Sequence, residues 1–149
     1  MPIKDIINQE NGTVFTIDSN LTVEDAIRLM LEKETTGVIV VSDNRPVGIF
    51  TEKDLVRCYA KSGNRPFSQI LLKDAMTRKL IVATPEDGIE ASASLMIKTR
   101  ISHLPVVEDG RIIGILGLCD LVQHRIGTLS SELHYLEEYL SDLHEAGKD

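Results

Sequence analysis

The chain has 149 residues, a formal net charge of −7, and 42% hydrophobic and 26% charged residues, the balance of a soluble globular protein. No apolar run approaches the roughly 20 residues of a membrane span, and Met1-Pro2-Ile3-Lys4-Asp5 turns acidic where a secretory leader needs an apolar segment. Residues 128–149 carry six acids and one Lys, leaving 17 acids and 15 bases elsewhere; a near-neutral body with an acidic tail argues against nucleic-acid and anionic-membrane partners, which select a basic surface.

In chain order, Ile3-Lys4-Asp5-Ile6-Ile7 is a short apolar lead-in, and Val14-Phe15-Thr16-Ile17 is a strand-like run closed by the polar break Asp18-Ser19-Asn20. From Thr22 the period changes. Val23, Ala26, Ile27, Met30 and Leu31 fall three and four apart behind Thr22 as N-cap, which predicts an amphipathic helix. Gly37–Val41 and Pro46–Phe50 flank a tight turn at Asp43-Asn44 and predict an antiparallel hairpin, with a second helix starting after Phe50. Ser62-Gly63-Asn64-Arg65-Pro66 is linker-like.

The same order then recurs. Leu72-Lys73-Asp74-Ala75-Met76 repeats the lead-in, Leu80–Ala83 the strand, and Ile89, Ala93, Met96 and Ile97 the apolar helix face; His103–Val107 and Ile112–Leu116 repeat the hairpin around Asp109-Gly110. With a shift of 66, ten of the 28 ungapped columns from Met30/Met96 to Arg57/Gln123 are identical, where ordinary residue usage gives roughly two. The chain is an internal duplication: units at 1–64 and 70–127, each strand-helix-strand-strand-helix, and a tail at 128–149. Each half alone is of a size that buries a core only marginally, so the two are expected to share one, with each lead-in packed on its own repeat. In the tail, Leu129, Leu133, Leu136, Leu140 and Leu143 have heptad spacing and predict a helix that docks either on its own body or on a partner in a dimer.

Cys58 and Cys119 occupy different columns and lack ligand spacing, so they are read as reduced thiols of a cytoplasmic protein, without metal or disulfide. No Ser/His/Asp or Cys/His constellation and no phosphate-binding P-loop is present, which speaks against an enzyme.

The tandem units, with Gly48-Ile49-Phe50-Thr51-Glu52-Lys53-Asp54 and Gly114-Ile115-Leu116-Gly117-Leu118-Cys119-Asp120 at the strand-to-helix junctions and with His103-Leu104-Pro105-Val106-Val107, resemble the cystathionine-beta-synthase (CBS) domain pair, or Bateman module. The resemblance covers residues 1 to about 127. It implies an α/β (α+β) fold of two β-α-β-β-α repeats about a pseudo-two-fold axis. It also implies a regulatory module that binds AMP, ADP, ATP, S-adenosylmethionine or NAD between the repeats, forms a homodimer and acts on a separately encoded effector protein. Carried over by position, Thr51 meets phosphate, Asp54 the ribose hydroxyls, and Asp120 the ribose of a second cleft. By the same resemblance adenine lies between backbone near Ile17 and Gly37-Val38 in one cleft, and near Ala83 and His103-Leu104 in the other.

The residues make chemical sense of this on their own terms. A hydroxyl at a helix start sits among unpaired N–H groups in a field that favours anions, and Lys53 adds charge. A carboxylate one turn on can accept from two sugar hydroxyls. Yet Thr51-x-x-Asp54 before an apolar helix is equally the pattern of a capping box, worth about 1 kcal/mol with no ligand. In the second copy Gly117 replaces the hydroxyl residue, so the phosphate contact is missing there. His103 is either a cleft-facing polar group or a strand-start histidine, and Arg100, with Lys98, either meets a polyphosphate or complements a helix C-terminus; His124, His134 and His144 read as solvated helix positions. A scaffold without ligand, acting through the C-terminal helix, is the alternative.

Overall fold

The computed structural model describes residues 1–7 and 14–121. The heptad tail lies outside the described residues, as does the continuation of the helix expected after Leu116, for which Leu118–Leu121 are described and helical. Copy one comprises helix α1 (Ile3–Ile7), strand β1 (Thr16–Asp18), helix α2 (Val23–Glu32), strands β2 (Gly37–Ser42) and β3 (Arg45–Thr51), and helix α3 (Glu52–Ser62). After a 3₁₀ turn at Phe67–Gln69 come helix α4 (Leu72–Ala75), helix α5 (Ile89–Thr99) and strands β4 (His103–Glu108) and β5 (Arg111–Gly117).

Local chemistry accounts for most of these boundaries. At the start of α2 the Thr22 N–H and hydroxyl both donate to Asp25 Oδ2 at 2.9 Å, and the Asp25 N–H donates to Thr22 Oγ1 at 3.2 Å. This reciprocal cap satisfies donors that a helix start leaves open. It also holds the Asp25 carboxyl below its ordinary pKa, first through the Thr22 backbone bond. Both hairpins turn through residues of positive φ: Asp43 and Asn44 at 53° and 63°, Asp109 and Gly110 at 52° and 75°. That is the turn whose twist suits paired strands. Both hairpins also carry a register shift at the same place, Val40/Val41 and Val106/Val107.

In copy one β1 runs parallel beside β2, and β2 is antiparallel to β3. In copy two the strand expected at Leu80–Ala83 is reduced to Ala83, which bridges Val106 in parallel. Its N–H donates to the Pro105 carbonyl at 2.9 Å and its carbonyl accepts from Val107 at 2.8 Å. Two expected core positions are exposed: Leu31 is 75% and its equivalent Ile97 66% accessible, while Ser92 turns inward instead.

The lead-ins correct the expectation most. Among the described residues the buried apolar side chains form two clusters rather than one, and each lead-in belongs to the other repeat's cluster. Leu72 and Ile70 pack with Val23, Ala26, Val38 and Phe50 of copy one. Ile3 and Ile6 pack with Met96, Leu104, Val106 and Leu116 of copy two. Backbone bonds lock the exchange: Val23 donates to Ile70 O at 2.8 Å, Leu72 to Leu21 O at 2.8 Å, and Ile3 to Asp87 O at 2.9 Å. The chain then continues along β3, where Ile49 and Thr77 exchange two 2.9 Å bonds. A Cβ on Gly48 would lie 2.7 Å from the Thr77 carbonyl, so this close approach requires glycine. Each small repeat thus completes its core with a segment of the other, which addresses the marginal burial of either alone.

Candidate functional site

The crossing opens a cavity of about 460 Å³ between the repeats. One wall is the end of β3 and the first two turns of α3, with Thr51, Lys53, Asp54 and Arg57; the facing wall is Leu80 and Ile81 and the α5–β4 turn from Thr99 to His103. Thr77 and Lys79, from the crossed lead-in, close one side.

Asp54 is the most constrained group here, 3% accessible. Its Oδ2 accepts from the Thr51 N–H at 2.9 Å and the Thr51 hydroxyl at 3.2 Å. Its Oδ1 accepts from the Thr77 hydroxyl at 2.5 Å and faces Arg57 Nη1 at 3.5 Å. The capping function of the Thr-x-x-Asp pattern is therefore realised, and Asp54 also ties α3 to the crossed segment. Among the described residues, four cations, Lys53, Arg57, Lys79 and Arg100, line the cavity against this one paired carboxylate, so the cleft attracts anions.

Across the cleft, Arg100 ends α5 in the left-handed region, φ 59° and ψ 36°, which a non-glycine residue adopts uncommonly. Lys53 Nζ donates to its carbonyl, joining α3 to the end of α5. His103 makes the other bridge. Its Nε2 lies 2.7 Å from Thr36 Oγ1 and its Nδ1 3.0 Å from Ser102 Oγ, and a Cβ on Gly37 would stand 2.9 Å from the ring. Burial pushes the His103 pKa below its ordinary 6.5, against the opposing pull of Glu52, Asp120 and Asp54; the imidazole is neutral at pH 7.

Five of the residues singled out in the sequence, Thr51, Lys53, Asp54, Arg100 and His103, thus line one cavity. Ile17, Val38, Ala83 and Leu104, singled out for their backbone, have their side chains in the two cores, and Gly37 sits beside the His103 ring. Asp120 is on the copy-two side, where its Oδ2 accepts from the Gly117 N–H at 2.8 Å; with no hydroxyl at Gly117, that cap has one bond fewer. Reading the sequence missed Arg57, Thr77, Lys79, Leu80 and Ile81. Arg57, one turn beyond Asp54 on the same helix, was within reach of spacing; Thr77 and Lys79 depend on the crossing.

A protein-family model described as the CBS domain matches residues 3–61 and 72–127. The chain belongs to the CBS domain family. Members of this family are regulatory, non-catalytic modules. The CBS-domain containing protein ATU1752 from Agrobacterium tumefaciens superposes with a TM-score of 0.80 at 28% identity, over 85% of this chain and 100% of that one. The CBS domain pair of protein MJ0100, crystallised with 5′-methylthioadenosine and S-adenosyl-L-methionine, gives 0.73 at 25% identity over 86% of this chain and 98% of that one. Homoserine O-acetyltransferase of Methanohalobium evestigatum is 36% identical over 106 residues, 69% of this chain and 20% of that protein. The CBS pair here spans less than two thirds of the length of several such relatives, from 20% to 62%. Among the described residues no helix is long and apolar enough to cross a membrane.

Proposed function

We propose that this CBS pair binds an adenosine phosphate in the cleft between its repeats and, by changing how the repeats meet, modulates a separate effector protein. The observation that carries the reading is the convergence of Thr51, Lys53 and Asp54 from one repeat with Arg100 and His103 from the other around a cavity of about 460 Å³, a size suited to a small ligand. The adenosyl ligands of the MJ0100 pair support the class. The four lining cations favour AMP, ADP, ATP or NAD over the sulfonium of S-adenosylmethionine, since an added positive charge here is opposed by like charges. The phosphate lies at the start of α3 near Thr51 and Lys53, with Arg100 opposite. The ribose lies toward Asp54, and the base against Leu80 and Ile81.

Leu31, Val56, Tyr59 and Ile97 are large apolar side chains left 66–75% accessible. We assign these side chains, on α2, α3 and α5, to the contacts of a homodimer, which gives the cleft a second body to act on. The covalent placement of a related segment within an acetyltransferase is consistent with an effector that is an enzyme. Cys58 and Cys119 are free thiols, consistent with the reducing cytoplasm.

Calorimetric titration with AMP, ATP, S-adenosylmethionine and NAD tests the reading. Binding of AMP and ATP, with ATP weakened more than AMP in Lys79→Ala, is expected. No heat at millimolar nucleotide refutes it.

A further inference from the structure

A second cavity, of about 310 Å³, abuts the first and shares Asp54, Arg57 and Thr77 with it. It continues along α3 to Lys61 and Arg65, with Asp74 of the crossed segment on the far wall. On a helix, Lys53, Arg57 and Lys61 rise by about 6 Å at each step along one side. The two outer lysines therefore mark opposite ends of a track with Asp54 and Arg57 between them. Arg65 Nη2 is anchored on the Gln69 carbonyl at 3.0 Å, whereas Lys61 makes no ion pair among the described residues.

Asp54 already uses its acceptor capacity: two bonds from Thr51, one from Thr77 and the Arg57 contact occupy the roughly four lone-pair positions of a carboxylate. A ribose hydroxyl that bonds Asp54 must displace one of these. The Arg57 contact, at 3.5 Å the longest and on a side chain 55% accessible, is the replaceable one. The released guanidinium then stands at the ribose edge, at the mouth of the second cavity.

From this we infer that the site takes an adenosine carrying a second phosphate on its 2′ or 3′ oxygen, received by Arg57 and Lys61 beyond the ribose. The inference rests on the cleft reading above: the 5′-phosphate at the start of α3 and the ribose at Asp54 leave the 2′ and 3′ oxygens facing down the helix. A phosphate there replaces the carboxylate that Arg57 gives up and is the first anionic partner of Lys61. Charge-assisted bonds of this type are roughly twice as strong as neutral ones.

The experiment is calorimetry on the full chain with AMP, adenosine 2′,5′-bisphosphate and adenosine 3′,5′-bisphosphate, comparing wild type with Lys61→Gln and Arg57→Gln. At least one bisphosphate is expected to bind about tenfold tighter than AMP, the equivalent of one charge-assisted bond. Lys61→Gln, outside the first cavity, lowers that ratio several-fold with AMP affinity unchanged; Arg57→Gln brings the ratio to about one. If neither bisphosphate outbinds AMP in the wild type, or the advantage survives both substitutions, the inference is overturned while the cleft reading stands. If AMP also fails to bind, both fall together.

Discussion

Replacing Asp54 by Ala separates the two roles of the Thr-x-x-Asp junction. In the absence of ligand, the carboxylate accepts from the Thr51 N–H, the Thr51 hydroxyl and the Thr77 hydroxyl while 3% accessible. Loss of an N-terminal cap costs about 1 kcal/mol, and each buried donor left without a partner about 1–3 kcal/mol. The two hydroxyls can rotate toward water in the adjoining cavity, so they contribute at the low end, and the substitution is expected to cost about 3 kcal/mol in total. Asp54→Asn keeps an acceptor for Thr51 and is expected to cost about 1 kcal/mol. Urea unfolding of the ligand-free protein, followed by circular dichroism, measures both from the shift in midpoint. A loss below about 0.5 kcal/mol for Asp54→Ala would show that the carboxylate does not hold α3 to the crossed segment. The size of the expected loss also means that failed nucleotide binding in Asp54→Ala is no proof of a ligand contact. Lys79, which lines the first cavity and makes no ion pair among the described residues, is the cleaner reporter.

Other consequences follow from the crossing and from His103. Leu72 is fully buried in the copy-one core; Leu72→Ala removes three carbons at about 0.8 kcal/mol each and leaves a cavity, so urea midpoints should report about 3 kcal/mol, and a cost below 1 kcal/mol would contradict the exchanged packing. A Cβ at Gly48 would lie 2.7 Å from the Thr77 carbonyl, whereas at Gly114 the nearest atom is Ile7 Cδ1 at 3.6 Å. Gly48→Ala should therefore lower the melting temperature, by the equivalent of about 1–3 kcal/mol, while Gly114→Ala leaves it nearly unchanged; equal effects would refute the close approach. Because burial lowers the folded pKa of His103 below 6.5, its contribution is complete above that pH and lost as pH falls below it, when the unfolded chain takes up the proton first. Melting temperatures between pH 7.5 and 5 should fall in wild type and less steeply in His103→Gln; parallel profiles would remove His103 from that window. Asp25, with its folded pKa lowered below 3.8, acts in a separate, more acid range.

Much of this was legible in the chain because it is local. The caps at Thr22 and Thr51, the turns at Asp43-Asn44 and Asp109-Gly110, and the hairpins around them depend on neighbours three or four residues apart, and the duplication displays the turns and hairpins twice. The exchange of lead-ins was not legible, since Ile3 and Leu72 satisfy the same apolar pattern whichever core receives them. For the same reason Thr77 and Lys79 went unnoticed, although they complete the site. Leu31 and Ile97 sit at the edge of a helical apolar stripe, where periodicity alone does not say whether the edge faces the core or an outer surface. Ile17, Val38, Ala83 and Leu104 were singled out by resemblance for their backbone, and their side chains fill the two cores.

Amide chemical-shift mapping of the isotope-labelled protein during titration with AMP tests the binding cleft most directly. Saturable shifts concentrated at Thr51–Asp54, Leu80–Ile81 and Ser102–His103, on both walls of the cavity at once, are the predicted result. An unchanged spectrum at millimolar AMP, or shifts confined to residues away from both walls, would contradict it.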